Sequence, residues 1–180
     1  AGGREILTSL YHNSRDITAV EINGILNDII SEKLVYWTGP LVKGNKNVNL
    51  ITDDARSVLS SKGDICDVII SAHTISSSAV SSGAMSMVEN YILTQEAVQE
   101  YITHLNNEGG VLYITRPETQ IPKLITSLRK AREVTSLGTH KDKNNIIVFR
   151  RAPSEFEGDK SFMGGVIYKK NGFGDVDVVN

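Results

Sequence analysis

Residues 16–22 read DITAVEI. β-branched and apolar side chains run up to an acid, Glu21, which predicts a short strand ending on a carboxylate. Upstream lies AGGREILTSL, in which Gly2 and Gly3 stand directly before a helical pattern over Ile6–Tyr11. Glycines in that place let the backbone bend sharply and approach a ligand, and they usually follow a strand. None precedes them, so the chain has an unusual N-terminus or begins inside a motif. Downstream, Gly24–Tyr36 carries apolar residues at helical spacing, at Ile25, Leu26, Ile29, Ile30 and Leu34. NVNLIT (Asn47–Thr52) is a second strand, and DDARSVLSS opens a short helix with acids where the helix dipole favours them.

The same alternation continues along the chain. CDVIIS (Cys66–Ser71) reads as a compact strand, followed by the serine-rich run AHTISSSAVSSGAMS. Glu89–Leu105 is a long helix closed by NNEGG, a glycine C-cap. VLYITR (Val111–Arg116) is a strand, Pro122–Arg132 a helix, and EVTSLGTH with NIIVFRR is expected to form a final antiparallel pair near Val134–Arg151. Strand and helix in turn, with short connections, imply a mainly parallel sheet with helices on both faces. CDVIIS and GVLYIT are apolar throughout, as strands buried on both faces should be. Residues 1–151 are read as one domain and 152–180 as a Gly- and charge-rich extension.

Composition narrows the function. The chain has 180 residues, 40% of them hydrophobic, and a formal net charge of −2. That balance gives no basic footprint for nucleic acid and no polybasic face for a membrane. Cys66 is the only cysteine, so neither an internal disulfide nor a cysteine zinc site is available. His12, His73, His104 and His140 lack ligand spacing, and no metal is expected. With no signal-like or membrane-spanning run in these residues, a reducing, cytoplasmic setting is expected, in a parent protein that a membrane tether would not contradict.

In such sheets ligands sit beyond the carboxyl ends of the strands. Gly2 and Gly3 leave helix N–H groups facing a ligand. Glu21, about 20 residues further on, suits a pair of ribose hydroxyls. Asp53, Asp54 and Ala55 follow the next strand, and Ser71 and His73 the one after. Each has a plainer reading: a turn, a solvated acid, a helix cap, an exposed loop histidine. Their order at consecutive strand ends favours nucleotide binding.

With GGREIL, ITAVEIN, NLITDDARSVL and DVIIS in that order, the chain resembles the class I S-adenosylmethionine-dependent methyltransferases. SSGAMSMVENYILTQEAVQEYITHLNNEGGVLYITRP is similar to the bacterial spermidine synthase-like proteins within that superfamily. The resemblance covers about residues 1–151. It implies a Rossmann-like α/β fold that ends in an antiparallel strand pair, and it implies that the first, central strand is missing ahead of Gly2. A chain without that strand is expected to be marginally stable or aggregation-prone. The resemblance also implies that Glu21 holds the cofactor ribose, that Ile22 packs on adenine, and that Asp54 meets the adenine amine with Asp53 and Ala55 beside it. Glu89, Asn90 and Tyr91 would line an acceptor pocket. True aminopropyltransferases carry an acid after the fourth strand; here that place is Ala72, with His73 the nearest titratable group and candidate base.

Three functions follow. The first is a methyltransferase-like enzyme that uses S-adenosylmethionine on a small-molecule acceptor, an amine among the candidates. The second is an aminopropyltransferase of polyamine synthesis that uses the decarboxylated cofactor. The third is a non-catalytic nucleotide-binding or sensing domain. NAD is the rival cofactor, since it shares the glycine loop and ribose acid. A homodimer is the assembly considered.

Overall fold

The computed structural model describes residues 3–63, 65–72, 93–135, 144–150 and 163–175. The chain divides into two compact units, Ala1–Lys62 and Gly63–Asn180. Each has its own sheet, and no strand among the described residues joins them.

In the first unit, α1 (Arg4–Tyr11) leads to β1 (Ile17–Val20), and α2 (Gly24–Asp28) follows. The helix continues through a π-helical turn at Ile29–Lys33 into α3 (Val35–Thr38). Then come β2 (Val48–Ile51) and α4 (Ala55–Lys62). β1 and β2 pair in parallel, with Ile17 opposite Val48 and Val20 opposite Ile51. The helix predicted over Gly24–Tyr36 is present, but the π turn widens it. The N–H of Leu34 bonds to the carbonyl of Ile29, and the hydroxyl of Ser31 reaches back to the carbonyl of Asn27 at 2.6 Å.

The second unit holds β3 (Val68–Ser71), α5 (Gln95–Thr103), β4 (Val111–Pro117), α6 (Ile121–Val134), β5 (Ile146–Arg150) and β6 (Met163–Lys169). The strand order is β3-β4-β6-β5. β3 and β4 are parallel; β6 runs antiparallel to both β4 and β5. Two expectations differ here. Glu133 and Val134 lie in α6 rather than in a strand, and the antiparallel partner of β5 is β6. β6 comes from the stretch read as an extension, because its short apolar run MGGVIYK carries two glycines after its first residue and ends in lysine. The glycines are used: a Cβ at Gly165 would overlap the ring of Phe149.

The core of this unit lies between the sheet and helices α5 and α6. Val98, Ile102, Leu112, Ile114, Leu124, Leu128 and Val166 are all essentially inaccessible. Thr94 caps α5 through the N–H of Ala97. β4 is buried as its sequence predicts. β3 is not: Val68 and Ile70 are 55% and 38% exposed, since β4 is its only partner among the described residues.

The base of the sheet, at the N-terminal ends of β3 and β4, is closely tied. The N–H of Cys66 bonds to the carbonyl of His104 at 2.7 Å, and the N–H of Asn106 to the carbonyl of Cys66 at 2.9 Å. The ammonium of Lys170 donates to the carbonyl of Leu105 at 2.6 Å. The buried amide of Asn145 donates to the carbonyls of Lys169 and Lys170. Burial holds the Lys170 ammonium below its ordinary pKa.

Candidate functional site

Within the first unit, the parallel register brings the carboxyl ends of β1 and β2 to one edge, where Glu21 and then Thr52, Asp53 and Asp54 emerge. Of Glu21, Asp54 and Ser71, expected at one edge, the first two share it, and Ser71 belongs to the second unit.

Glu21 is fixed at three points. Its N–H continues the ladder to the carbonyl of Ile51 at 3.1 Å. Its own carbonyl accepts from the side-chain amide of Asn27 at 3.3 Å. Its Oε1 accepts from the N–H of Asn23 at 3.0 Å. Asn23 in turn caps α2 through the N–H of Ile25. Oε2 of Glu21 has no hydrogen bond among the described residues, so a half-buried carboxylate is held with one oxygen available to a donor pair. Beside it, Ile22 is 69% exposed, a flat apolar surface next to a fixed acid.

Asp53 and Asp54 are both engaged locally. Oδ1 of Asp53 accepts from the N–H of Asp54 at 2.7 Å. Oδ1 of Asp54 accepts from the N–H and hydroxyl of Ser57, at 2.9 and 3.1 Å, and so caps α4 ahead of Ala55. The capping reading of this acid pair is thus realised. A carboxylate has two oxygens, so the cap leaves acceptor capacity at Asp54.

Gly3 is the N-cap of α1, with φ 77° and ψ 5°, and it offers no side-chain cap to the first turn. Its position is doubly restricted. The left-handed backbone favours glycine, and a Cβ there would overlap Cδ2 of Leu41, itself a buried residue. The close approach at Gly3 is that of the Leu41 side chain. Gly2 lies outside the described residues.

In the second unit, Ser71 is the last residue of β3, opposite Ile114, and Ala72 beyond it is buried. His73, Glu89, Asn90 and Tyr91 lie outside the described residues. Among the described residues no group of three or more His, Cys, Asp or Glu side chains is placed to hold a metal. No helix there is long and apolar enough to cross a membrane.

The sequence reading missed Asn27 and Thr52. Asn27 is 5% exposed, and its amide also donates to the hydroxyl of Thr52 at 2.7 Å. The signal for Asn27 was present: it is the polar residue inside the apolar pattern of Ile25, Leu26, Ile29 and Ile30.

Comparison with known proteins places the fold. No protein-family model matches the sequence, and no curated protein matches it significantly. Solved structures do match. A spermidine synthase in complex with the transition-state analogue AdoDATO aligns over 94% of this chain and 51% of its own, at 13% identity and TM-score 0.58. The spermidine synthase from Thermotoga maritima aligns over 94% and 52%, at 12% identity and TM-score 0.59. Human methyltransferase-like protein 13, in complex with SAH, aligns over 99% and 73%, at 16% identity and TM-score 0.58. The chain thus has the Rossmann-like α/β fold of class I methyltransferases and spermidine synthases. It spans about half the length of the spermidine synthases that it matches.

Proposed function

We propose that the first unit binds the adenosine part of S-adenosylmethionine, and that the protein is a transferase of the methyltransferase-like kind, related to the spermidine synthase-like proteins. One observation carries this reading: Glu21 stands at the end of β1 with its carboxylate oriented through Oε1 and its Oε2 without a hydrogen bond among the described residues. On a strand-end acid of this fold, two ribose hydroxyls complete the carboxylate's hydrogen bonding. Ile22 then packs against the adenine, and Asp54, with Asp53 and Ala55 beside it, faces the exocyclic amine. Gly3, the N-cap of α1, gives the first-turn N–H groups no side-chain cap, which suits them to face the ligand. The donor and acceptor set of these residues fits an uncharged nucleoside better than a phosphate, since the acids at this edge disfavour an anion.

When bound, S-adenosylmethionine supplies an electrophilic methyl group. The protein's share is to orient donor and acceptor, which needs no acid at position 72. Methyl transfer is therefore favoured over aminopropyl transfer, for which Ala72 provides no proton acceptor. A small-molecule acceptor, such as an amine, belongs to the same proposal.

The test is calorimetric titration of the purified protein and its Glu21→Ala variant with S-adenosylmethionine, its decarboxylated form and NAD. S-adenosylmethionine is expected to bind, and Glu21→Ala to weaken it at least tenfold, which corresponds to only about 1.4 kcal/mol. Binding of NAD alone, or unchanged affinity in Glu21→Ala, would overturn the assignment. Binding of the decarboxylated form alone would replace it with the aminopropyltransferase reading.

A further inference from the structure

We infer that Asn27 is a positioning residue for the ribose-binding carboxylate, fastening the carboxyl ends of β1 and β2 at a fixed separation. This rests on the reading of Glu21 given above. Asn27 lies on α2, six residues beyond Glu21 and on neither strand, yet its Nδ2 donates to both strand ends: to the Glu21 carbonyl at 3.3 Å and to Thr52 Oγ1 at 2.7 Å. Because the Glu21 carbonyl can only accept, the amide must present its NH2 there. Its Oδ1 is buried and has no partner among the described residues. A buried acceptor left unsatisfied costs stability, whereas an aliphatic side chain of similar volume would avoid that cost. What Asn27 adds over leucine is its pair of donors.

Those donors act where the ladder stops. The last β1–β2 hydrogen bond is the one from the Glu21 N–H to the Ile51 carbonyl. Beyond it the two chains would diverge, and Asn27 supplies the next rung. Thr52 is held through its hydroxyl by Asn27. With its N–H, carbonyl and Oε1 all bonded, Glu21 keeps Oε2 at a set distance from Asp53, the residue after Thr52. A carboxylate so held binds a rigid diol without first losing its own freedom.

The experiment uses the protein with Asn27→Leu and, separately, Thr52→Val, which keeps the side-chain shape and removes the hydroxyl. Two quantities are read: the affinity ratio of S-adenosylhomocysteine to its 2′,3′-dideoxy analogue, and amide hydrogen exchange at Glu21 relative to Ile17. The parent should prefer the intact ribose by about tenfold or more. In Asn27→Leu that preference should fall below about threefold, and Glu21 should exchange about tenfold faster while Ile17 does not change. Thr52→Val should move both in the same direction by less. Parent-like ratio and exchange in a folded Asn27→Leu would overturn the proposal. If that variant does not fold, parent-like values in Thr52→Val overturn it. A lowered ratio with unchanged exchange would also overturn it, since Asn27 would then act on the ligand directly. A parent indifferent to the ribose hydroxyls would refute the ligand reading itself, and exchange at Glu21 alone would then decide whether Asn27 fastens the strand ends.

Discussion

Tyr113 and Phe149 stack with ring centroids 5.6 Å apart and planes 16° from parallel. They belong to β4 and β5, which are not neighbours; β6 runs between them. The stack is possible because Gly165 of β6, directly opposite Phe149, has no side chain and the phenyl ring lies across it. Gly165→Ala should therefore displace Phe149 and cost about 1–3 kcal/mol. Thermal unfolding should show this as a fall in Tm of several degrees. Phe149→Leu in the Gly165→Ala background should recover part of the loss, because the flexible side chain can move aside. A Gly165→Ala protein with the parent Tm would refute the account.

Gly3 and Gly39 separate two reasons for glycine. Both have positive φ, 77° and 70°. Only at Gly3 does a Cβ meet another residue, Leu41; at Gly39 nothing lies within 4 Å. Gly39, with ψ −178°, lies in a backbone region that is essentially glycine's alone, so Gly39→Ala should cost about 1–3 kcal/mol from strain only. Gly3→Ala should cost the milder left-handed strain of about 1 kcal/mol plus a packing conflict of about 1–3 kcal/mol. Denaturant unfolding of the two variants, and of Gly3→Ala combined with Leu41→Ala, checks this: the second change should relieve the conflict at Gly3.

The Tyr168 phenol is buried and has no hydrogen-bond partner among the described residues. Desolvation raises its pKa above the ordinary 10.0, opposed in part by Arg132. The folded state therefore keeps this proton after the unfolded chain has begun to release it. Stability should be insensitive to the group below pH 10.0 and should decline as pH rises from there toward the folded pKa. Lys170 acts in the opposite sense, because its lowered pKa makes stability rise toward pH 10.5. Comparing Tyr168→Phe with the parent cancels the lysine contribution. The variant should be as stable as the parent or more so near neutral pH, and its alkaline decline should be shallower. A steeper alkaline loss in Tyr168→Phe would contradict this.

β3 presents an apolar strand with one described partner, and Val68, Ile70 and nearby Ile65 are exposed. An apolar strand edge with no partner among the described residues is a template for pairing with other chains. The protein should self-associate as its concentration rises, and Val68→Lys should suppress that association without lowering Tm. Light scattering across a concentration series measures it. Association unchanged in Val68→Lys would place the contact elsewhere.

Much of this was legible in the sequence because local pattern and tertiary use agreed. DITAVEI had to be a strand ending on an acid. Gly3 opens α1 in the place its neighbours suggest, and Asp54 caps α4 from just ahead of its first turn. What was hidden depended on distant partners. The last strand, Met163–Lys169, looks like glycine-rich tail until Phe149 is seen lying on Gly165. Asn27 reads as an interruption of an apolar face until Thr52, 25 residues away, arrives beside it. The exposure of β3 follows from which strands flank it, and an apolar run cannot report its neighbours.

The ties beneath the second sheet, from Lys170, Asn145, Cys66 and Asn106, join the beginnings of β3, β4 and β5 to the end of the antiparallel β6 and leave the opposite ends out. Such a molecule has a foundation and a rim with separate fates. Changes after Ser71 or Pro117 leave those ties intact, so the rim is free to diversify while the frame persists. Replacing Lys170 or Asn145 would loosen the frame that every variant of the rim depends on.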